Sequence, residues 1–369
     1  MLTQNKHDLA EVTSHFQLEG KFLDAAPYGS GHINDTYASH FQLDGKVIRY
    51  IHQRINHNIF KQPDKLMDNI VRVTKYAREK IEAANGDPLR ETLNVIPTVD
   101  NQPFWLSPEG NYWRSYIFIE GAKTYDQVED LKHVYSANKA FGEFQKLLST
   151  LPGERLNETI PNFHNTVSRF AAFKEALDKD VMNRAASVKP EIDFVLEREK
   201  DCSIITDMMA NGTIPERVTH NDTKLNNVMI DDATGEGVCV IDLDTLMPGS
   251  ALYDFGDSVR IGASTALEDE KDLSKVGISL DMYERLASGY LDAARDFLVP
   301  AEVEYMPFSA KLMTFECGVR FLADYLSGDV YFKVHRDGHN LDRCRTQFKM
   351  VEEMEKKLDL MSEITNKYK

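Results

Sequence analysis

No run of apolar residues in this chain approaches the roughly 18 needed to cross a bilayer. The opening MLTQNKHDLAEVTSHF is too polar for the apolar centre of a secretory signal. The expectation is a soluble protein whose default compartment is the cytoplasm. Cysteine is scarce: Cys202, Cys239, Cys317 and Cys344 are scattered without a close pair, which suggests neither a disulfide framework nor a zinc site. Each is expected to be a small buried apolar residue. Positive charge is also in deficit, because 43 Lys and Arg against 59 Asp and Glu leave a formal charge of -16. Such a surface repels phosphate backbones and acidic lipids, and no local basic patch offsets it, so neither a nucleic-acid nor a membrane partner is expected. Internal repeats and low-complexity tracts are missing as well. What the chain does have is length and apolar content, 369 residues at 42% hydrophobic, enough to fill two ordinary domains or one large one.

The first third is rich in strand-like segments divided by turn signals. Tyr28 to His40 and Lys46 to Ile55 flank Asp44-Gly45 and read as a hairpin. Leu93 to Val99, Gln102 to Leu106 and Tyr112 to Ile119 are further strand candidates, and Asp64 to Ala84 is the one clear helix among them. After Glu120-Gly121 long helical patterns take over, as in Leu131, Val134, Ala137, Phe141, Phe144 and Leu148. A β-like pair, Val228 to Ile230 and Val238 to Leu243, interrupts them once. The acidic run Leu267 to Asp272 reads as a solvated face. The fold class that follows is α+β and two-lobed: a small antiparallel sheet with one helix in residues 1–119, then a larger, mostly helical lobe in residues 120–369.

The densest chemistry lies in Val218-Thr219-His220-Asn221-Asp222-Thr223-Lys224-Leu225-Asn226-Asn227. His, Asp and Asn stand at the offsets of a phosphoryl-transfer loop, H-x-D-x-x-x-x-N. Such transfer needs a carboxylate that positions the acceptor hydroxyl and takes its proton, for which Asp222 is the candidate, and a metal ligand close by, Asn227. Lys224 would neutralise charge on the transferred group, and His220 reads as a brace for the loop. Downstream, the buried-strand run Val238-Cys239-Val240-Ile241 delivers Asp242-Leu243-Asp244 to a strand end, where a second metal ligand is required. Asp242 with Asn227 would make a hard oxygen site suited to Mg²⁺ between the phosphates of ATP. Asp and Asn also cap turns routinely, and Asp254-Phe255-Gly256, which spells a kinase metal motif, stands too far from Asp222 and reads as a helix cap or loop brace.

Upstream, Tyr28-Gly29-Ser30-Gly31-His32-Ile33-Asn34 has two glycines that let backbone amides approach an anion, as a loop over ATP phosphates would, although any tight hairpin could use the same residues. On Val47 to Ile55 there is no lysine to pair with phosphates. Gln53 holds the equivalent position, Arg54 is the nearest charge on the opposite face, and no helix glutamate can be assigned as partner. Tyr116-Ile117-Phe118-Ile119-Glu120-Gly121 is an apolar strand ending in a turn, expected to be a hinge where Phe118 and Ile119 would meet adenine. In the last third, Leu312, Phe315, Val319, Leu322 and Leu326 form a helical core stripe. Glu316, Arg320 and Asp324 follow at four-residue intervals and by spacing alone read as a surface charge ladder. Tyr331, after Gly328-Asp329-Val330, reads by itself as a core or surface residue.

HNDTKLNN followed by VCVIDLDT resembles the aminoglycoside and choline kinase branch of the protein-kinase-like fold. More narrowly, YGSGHINDTY, VTHNDTKLNN, IDLDTLMPGS, DFGDSVRIGASTALEDEKDLSKV and ECGVRFLADYLSGDVYF are similar, in order and over nearly the whole chain, to the N-acetylhexosamine 1-kinases. That resemblance implies transfer of the ATP γ-phosphate, with Mg²⁺, to the anomeric hydroxyl of N-acetylglucosamine or N-acetylgalactosamine, with Asp222 as base. It also implies sugar contacts for His32, Arg320 and Tyr331, with Asp244 a further candidate. Ile261 stands where the family tends to have an aromatic residue, so packing about the N-acetyl group differs.

Two other readings follow from the same residues. The fold branch and the acidic balance also suit a kinase for a cationic alcohol such as choline or an aminoglycoside, which would need an aromatic or acidic cage. The missing strand lysine and helix glutamate suit a catalytically silent nucleotide-binding module, against which the retained Asp222, Asn227 and Asp242 argue. The sequence leaves open whether the chain is a monomer or a weak homo-oligomer.

Overall fold

The computed structural model describes residues 7–29, 31, 33–125 and 130–369. Ser30 and His32 lie outside the described residues.

The N-terminal region is an antiparallel sheet. A short helix α1 (Leu9–Ser14) precedes strands β1 (Lys21–Pro27), β2 (Asp35–Leu43) and β3 (Lys46–Ile55). Helix α2 (Pro63–Ala83) follows, then β4 (Val95–Ile96), β5 (Trp105–Leu106) and β6 (Tyr112–Ile117). The sheet order is β1-β2-β3-β6-β4, with β5 also paired to β6. The β2–β3 hairpin turns at Asp44 and Gly45, both at positive φ (47° and 80°), as its right-handed twist requires. Two expectations are corrected. The strand expected from Tyr28 begins only at Asp35, with Tyr28, Gly29, Gly31, Ile33 and Asn34 outside any strand and Gly29 at φ 80°, which agrees with the loop reading of the same residues. The edge strand β1 was not anticipated, because an edge strand buries little and shows no clear alternation. Helix α2 lies within one residue of its expected span, with Pro63 in its first turn, where the missing N–H costs nothing.

The C-terminal region is largely helical: α3 (Leu131–Leu148), α4 (Thr166–Lys179), α5 (Lys189–Leu196), α6 (Ile204–Ala210), α7 (Ala251–Gly262), α8 (Leu280–Ala294), α9 (Pro300–Leu326) and α10 (His339–Asn366). Among them lie short strands β7 (Ala122–Lys123), β8 (Arg217–Thr219), β9 (Val228–Asp231), β10 (Gly237–Val240) and β11 (Met247–Gly249), which form the small sheets β10-β9-β7 and β11-β8. The predicted core stripe on α9 is buried along its whole length. That stripe belongs to the core of the helical region; a second apolar core holds α2 (Leu66, Ile70, Val73), α3 (Phe141, Leu148) and the β9–β10 hairpin (Val228, Ile230, Val240). Each such fully buried aliphatic side chain contributes roughly 1.5–3 kcal/mol, so the hairpin is fastened to both helices. Among the described residues no helix is long and apolar enough to cross a membrane.

Helices α3 and α8 pack backbone against backbone. A Cβ on Gly142 would stand 2.7 Å from the Tyr290 carbonyl oxygen, and one on Gly289 would run into the Tyr135 carbonyl. Neither neighbour is a flexible tip that could swing aside. Gly289→Ala is therefore expected to destabilise the protein by about 1–3 kcal/mol, seen as a lower urea midpoint at unchanged slope.

Under the sheet, His52 on β3 is fully buried between two hydroxyls, Ser39 Oγ at 2.7 Å from Nε2 and Ser115 Oγ at 2.7 Å from Nδ1. A neutral imidazole satisfies both, donating to one and accepting from the other, and burial pushes its pKa down to about 4. The unfolded histidine takes a proton near pH 6.5, whereas the folded one refuses it until about pH 4. Stability linked to His52 is therefore whole above pH 6.5 and falls as the pH drops toward 4. Urea midpoints measured at steps between pH 7 and 4.5 should fall more steeply for the parent than for His52→Gln.

Candidate active site

The loop from β8 to β9 takes its shape from one left-handed residue. Asn221 sits at φ 65°, a conformation asparagine tolerates. This aims two successive amides, those of His220 and Asn221, at one carboxylate: Asp254, in the first turn of α7, accepts them at 2.9 and 2.7 Å. Asp254 is thus a loop brace, as its spacing suggested. Gln145 of α3 donates to the same carboxylate, and Tyr290 of α8 donates to Gln145 at 2.5 Å. Thr223 Oγ1 donates to the Asp254 carbonyl at 2.6 Å, and Ser258 Oγ to the Thr223 carbonyl at 3.1 Å. The strand entering the loop is pinned too, since Arg217 of β8 makes a two-pronged pair with Glu302 at 2.6 Å on each prong.

His220 is engaged on both ring nitrogens. Its Nε2–H donates to the Ile241 carbonyl at 2.8 Å, and Nδ1 accepts the Asp222 amide at 3.3 Å. That fixes the tautomer and joins the catalytic loop to the strand end that carries Asp242. Asp222 itself is half-buried. Lys224 Nζ stands 2.9 Å from its Oδ2, and Asn227 Nδ2 donates to its carbonyl at 2.8 Å and to its Oδ2 at 3.2 Å. Burial works against the charge on Lys224, but the Asp222 carboxylate holds its pKa above the ordinary lysine value.

Asp242 is also left-handed, at φ 59°. Its side chain is reached from the cleft, yet the surrounding walls strip its hydration. That loss, with the nearby Asp244 and Asp222 carboxylates, pushes its pKa up to about 6. No hydrogen-bond donor reaches its carboxylate among the described residues. A crowded, donor-free carboxylate fits a hard divalent cation by its donor chemistry, and Asp242 and Asn227, which line the same cavity, are the residues that would hold one. The described residues contain no cluster of three His, Cys, Asp or Glu preset for a metal.

Between the sheet and this loop lies a cavity of about 260 Å³. Ile51, Leu93, Phe118, Ile119, Met229 and Ile241 line its apolar part, and Gln53, Lys224, Asn227, Asp242 and Asp244 its polar end. Gly29 and Gly31 stand on its rim. The turn after β6 is strapped by Arg90, which donates to the Glu120 and Gly121 carbonyls and to Asp231, while Arg49 stacks 3.6 Å over the Phe118 ring. The cation that β3 lacks is found on the neighbouring strand: Arg114 of β6, opposite Gln53 in register, pairs with Asp244. Arg54 points to the other face and pairs with Asp35. Arg114 escaped the sequence reading because only the cross-strand register brings it to the cleft.

On the far side of the catalytic loop, the charge-ladder reading of α9 is corrected. Glu316 and Asp324 are buried (1% and 5% exposed) and fully engaged. Glu316 accepts from His164 Nδ1 at 2.9 Å and Thr166 at 2.6 Å, and His164 Nε2 donates to the Asn221 carbonyl at 3.2 Å. His164 and Thr166 hold the Glu316 carboxyl below its usual range despite burial, which acts the other way. Asp324 accepts the amides of Val330, Tyr331 and Phe332 and so shapes the loop after α9. Arg320, between the two acids, is half-buried and lies 5.6 Å from the Phe163 ring and 5.4 Å from that of Phe332. No carboxylate or carbonyl accepts from it among the described residues. Tyr331 is 67% exposed.

An antiparallel sheet roofing a cleft whose polar end carries Lys224, Asn227 and Asp242, with Asp222 bonded to the first two, is the arrangement of a kinase-type phosphotransferase. The chain belongs to the phosphotransferase enzyme (APH) family, whose model matches residues 25–288. Solved structures with the same fold include an aminoglycoside phosphotransferase from Alicyclobacillus acidocaldarius, at 11% identity, covering 99% of this chain and 98% of that one, with a TM-score of 0.55. A choline kinase from Cryptosporidium parvum matches at 14% identity, 94% and 92% coverage and a TM-score of 0.54. An amicoumacin kinase, solved in complex with AMP-PNP and Ca²⁺, matches at 12% identity, 95% and 92% coverage and a TM-score of 0.53.

Removing Asp254 tests the brace. Asp254→Ala strands two buried amides, at a cost of about 2–6 kcal/mol. The urea midpoint should fall, and the amides of His220 and Asn221 should lose hydrogen-exchange protection while those at the centre of β3 keep theirs.

Proposed function

We propose that this protein transfers the γ-phosphate of ATP to the anomeric hydroxyl of an N-acetylhexosamine, N-acetylglucosamine or N-acetylgalactosamine, giving the sugar 1-phosphate and ADP. In this reading residues 1–119 form the nucleotide lobe and residues 120–369 the catalytic and sugar-binding lobe. The division is supported by β7, which follows the hinge and pairs with β9 rather than with the large sheet. Adenine enters between Phe118, Ile119 and Met229, and the phosphates run beneath Gly29, Ser30 and Gly31 toward Lys224. Asp222 orients the sugar hydroxyl and takes its proton as that oxygen bonds to the γ-phosphorus and the bond to the β-phosphate oxygen breaks. Lys224 neutralises charge on the group in transit. Asn227 and Asp242 would hold Mg²⁺, which when bound neutralises phosphate charge.

The choice of acceptor rests on Arg320. A guanidinium flanked by Phe163 and Phe332 with its donors uncommitted suits a neutral, oxygen-rich molecule such as a sugar with an amide carbonyl. Burial and the nearby charge of Arg320 hold Arg169 below its ordinary pKa, so positive potential gathers on this side of the loop. A choline or aminoglycoside cation would be repelled there, although structural relatives carry those names. His32 and Tyr331 complete the proposed sugar contacts. Asp244, whose oxygens are taken by Arg114 and Asn34, contributes through its neighbours.

The test is incubation of the purified protein with ATP, Mg²⁺ and a panel of hexosamines, choline and an aminoglycoside, following ADP release and loss of the sugar reducing end. Hexosamines should release ADP with loss of the reducing end. Asp222→Asn should abolish turnover at an unchanged melting temperature, and Arg320→Ala should raise the sugar KM roughly tenfold while leaving the ATP KM alone. Turnover of the cations alone would establish the cationic-alcohol reading, and nucleotide binding without turnover of any acceptor the silent module.

A further inference from the structure

Gln53 cannot supply the cation that a strand lysine would, yet it does not face the cleft alone. Across the β3–β6 register its Oε1 accepts from Arg114 Nε at 3.0 Å and Nη2 at 2.8 Å, while its own amide nitrogen donates to Thr36 Oγ1 at 3.1 Å. The third nitrogen of the guanidinium pairs with Asp244 Oδ1. Asp244 Oδ2 accepts from Asn34 at 2.6 Å, and Asn34 Oδ1 in turn accepts the Asn56 amide at 2.9 Å. One carboxylate therefore gathers the end of the glycine loop, the end of β3 and, through Arg114, the sheet centre. Arg114 is 1% exposed and Asp244 3%. A guanidinium so enclosed does not reach a phosphate; it acts through its partner.

The position of that partner gives the pair a use. A buried ion pair is a poor device for stability alone, since well-packed apolar residues of the same volume serve as well. Asp244 sits in a single 3₁₀ turn, Leu243–Thr245, which starts from the left-handed Asp242. The chain on either side of Asp242 is clamped: the preceding carbonyl, Ile241, by His220 of the catalytic loop, and the following turn by Arg114 of the sheet. Helix α2 adds a third tie, with Asn69 donating to the Leu246 carbonyl at 2.9 Å. A residue in an unfavoured backbone conformation keeps it only when its surroundings over-determine it.

We propose that Arg114 takes over the task of the absent strand lysine as a positioning residue: through Asp244 it locks the turn that aims the Asp242 carboxylate, and so couples the sheet to metal binding. This rests on the reading of Asp242 as a metal ligand, and the test separates the two. Mn²⁺ is titrated into the purified protein with saturating ADP, its binding followed by electron paramagnetic resonance; no acceptor is needed, so an error about the sugar leaves the result readable. Asp242→Asn should abolish the tight Mn²⁺ site. Arg114→Met should weaken Mn²⁺ by roughly tenfold or more, the range for residues that orient a metal ligand, and Arg114→Lys should weaken it less. The sharpest arm adds Gln53→Lys to Arg114→Met: a cation restored from the opposing strand should recover most of the lost affinity, which repair of packing alone would not do. Should Arg114→Met fail to fold, Asp244→Asn carries the same expectation at unchanged volume. An Arg114→Met affinity within about twofold of the parent, alongside a collapsed Asp242→Asn, overturns the proposal. A loss that Gln53→Lys leaves unrepaired overturns it too. An Asp242→Asn variant that still binds Mn²⁺ overturns the metal assignment beneath it.

Discussion

The shape of the loop between β8 and β9 hangs on one carboxylate with two amides. A left-handed residue at Asn221 lets the chain turn back sharply enough to present Asp222, and it leaves the N–H groups of His220 and Asn221 pointing into the interior. Buried amides without an acceptor are costly, so the turn exists only because Asp254 is there to receive them. Asp254 is in turn held by Gln145, and Gln145 by Tyr290. These three side chains come from α7, α3 and α8, so the helical core is wired to the loop by hydrogen bonds as well as by packing.

Legibility in the sequence followed locality. The loop His220 to Asn227 could be read directly, since its candidate groups lie within one turn of chain and their spacing is the signal. Asp242 could be placed because an apolar strand delivers it. Helix α2 was visible as the one clear helical segment among the strand-like ones. What escaped was whatever depends on pairing between distant segments. Arg114 is an unremarkable residue on a strand until the β3–β6 register sets it against Gln53 and Asp244. Glu316 and Asp324 flank Arg320 at four-residue intervals just as surface charges do, and only the arrival of His164, Thr166 and the loop after α9 turns them into buried acceptors. The edge strand β1 was missed because half-exposed strands carry little alternation.

Charge is distributed across the cleft in a way the overall balance conceals. The chain is strongly acidic, and its carboxylates crowd around Asp242, where they favour a divalent cation. Across the loop Arg320 stands near Arg169 and two aromatic rings, with Glu316 and Asp324 already engaged by hydrogen bonds. Formal charge therefore says which partners a surface repels at long range, while substrate choice is set within a few ångströms. The same holds for the arginines themselves: Arg217 and Arg114 are spoken for by carboxylates, and Arg320, among the described residues, is not.

The contact between α3 and α8 gives the loop a ruler. With Gly142 and Gly289 the two helix backbones meet with no side chain between them, and both Gln145 and Tyr290 hang from that contact. Interhelical separation is then set by main-chain atoms, which neither switch rotamers nor compress, and the calibration reaches Asp222 through three hydrogen bonds. Changes around α9 and the loop at Tyr331 can proceed without touching this ruler. A one-methyl error at either glycine would be transmitted along these bonds to the backbone that carries Asp222.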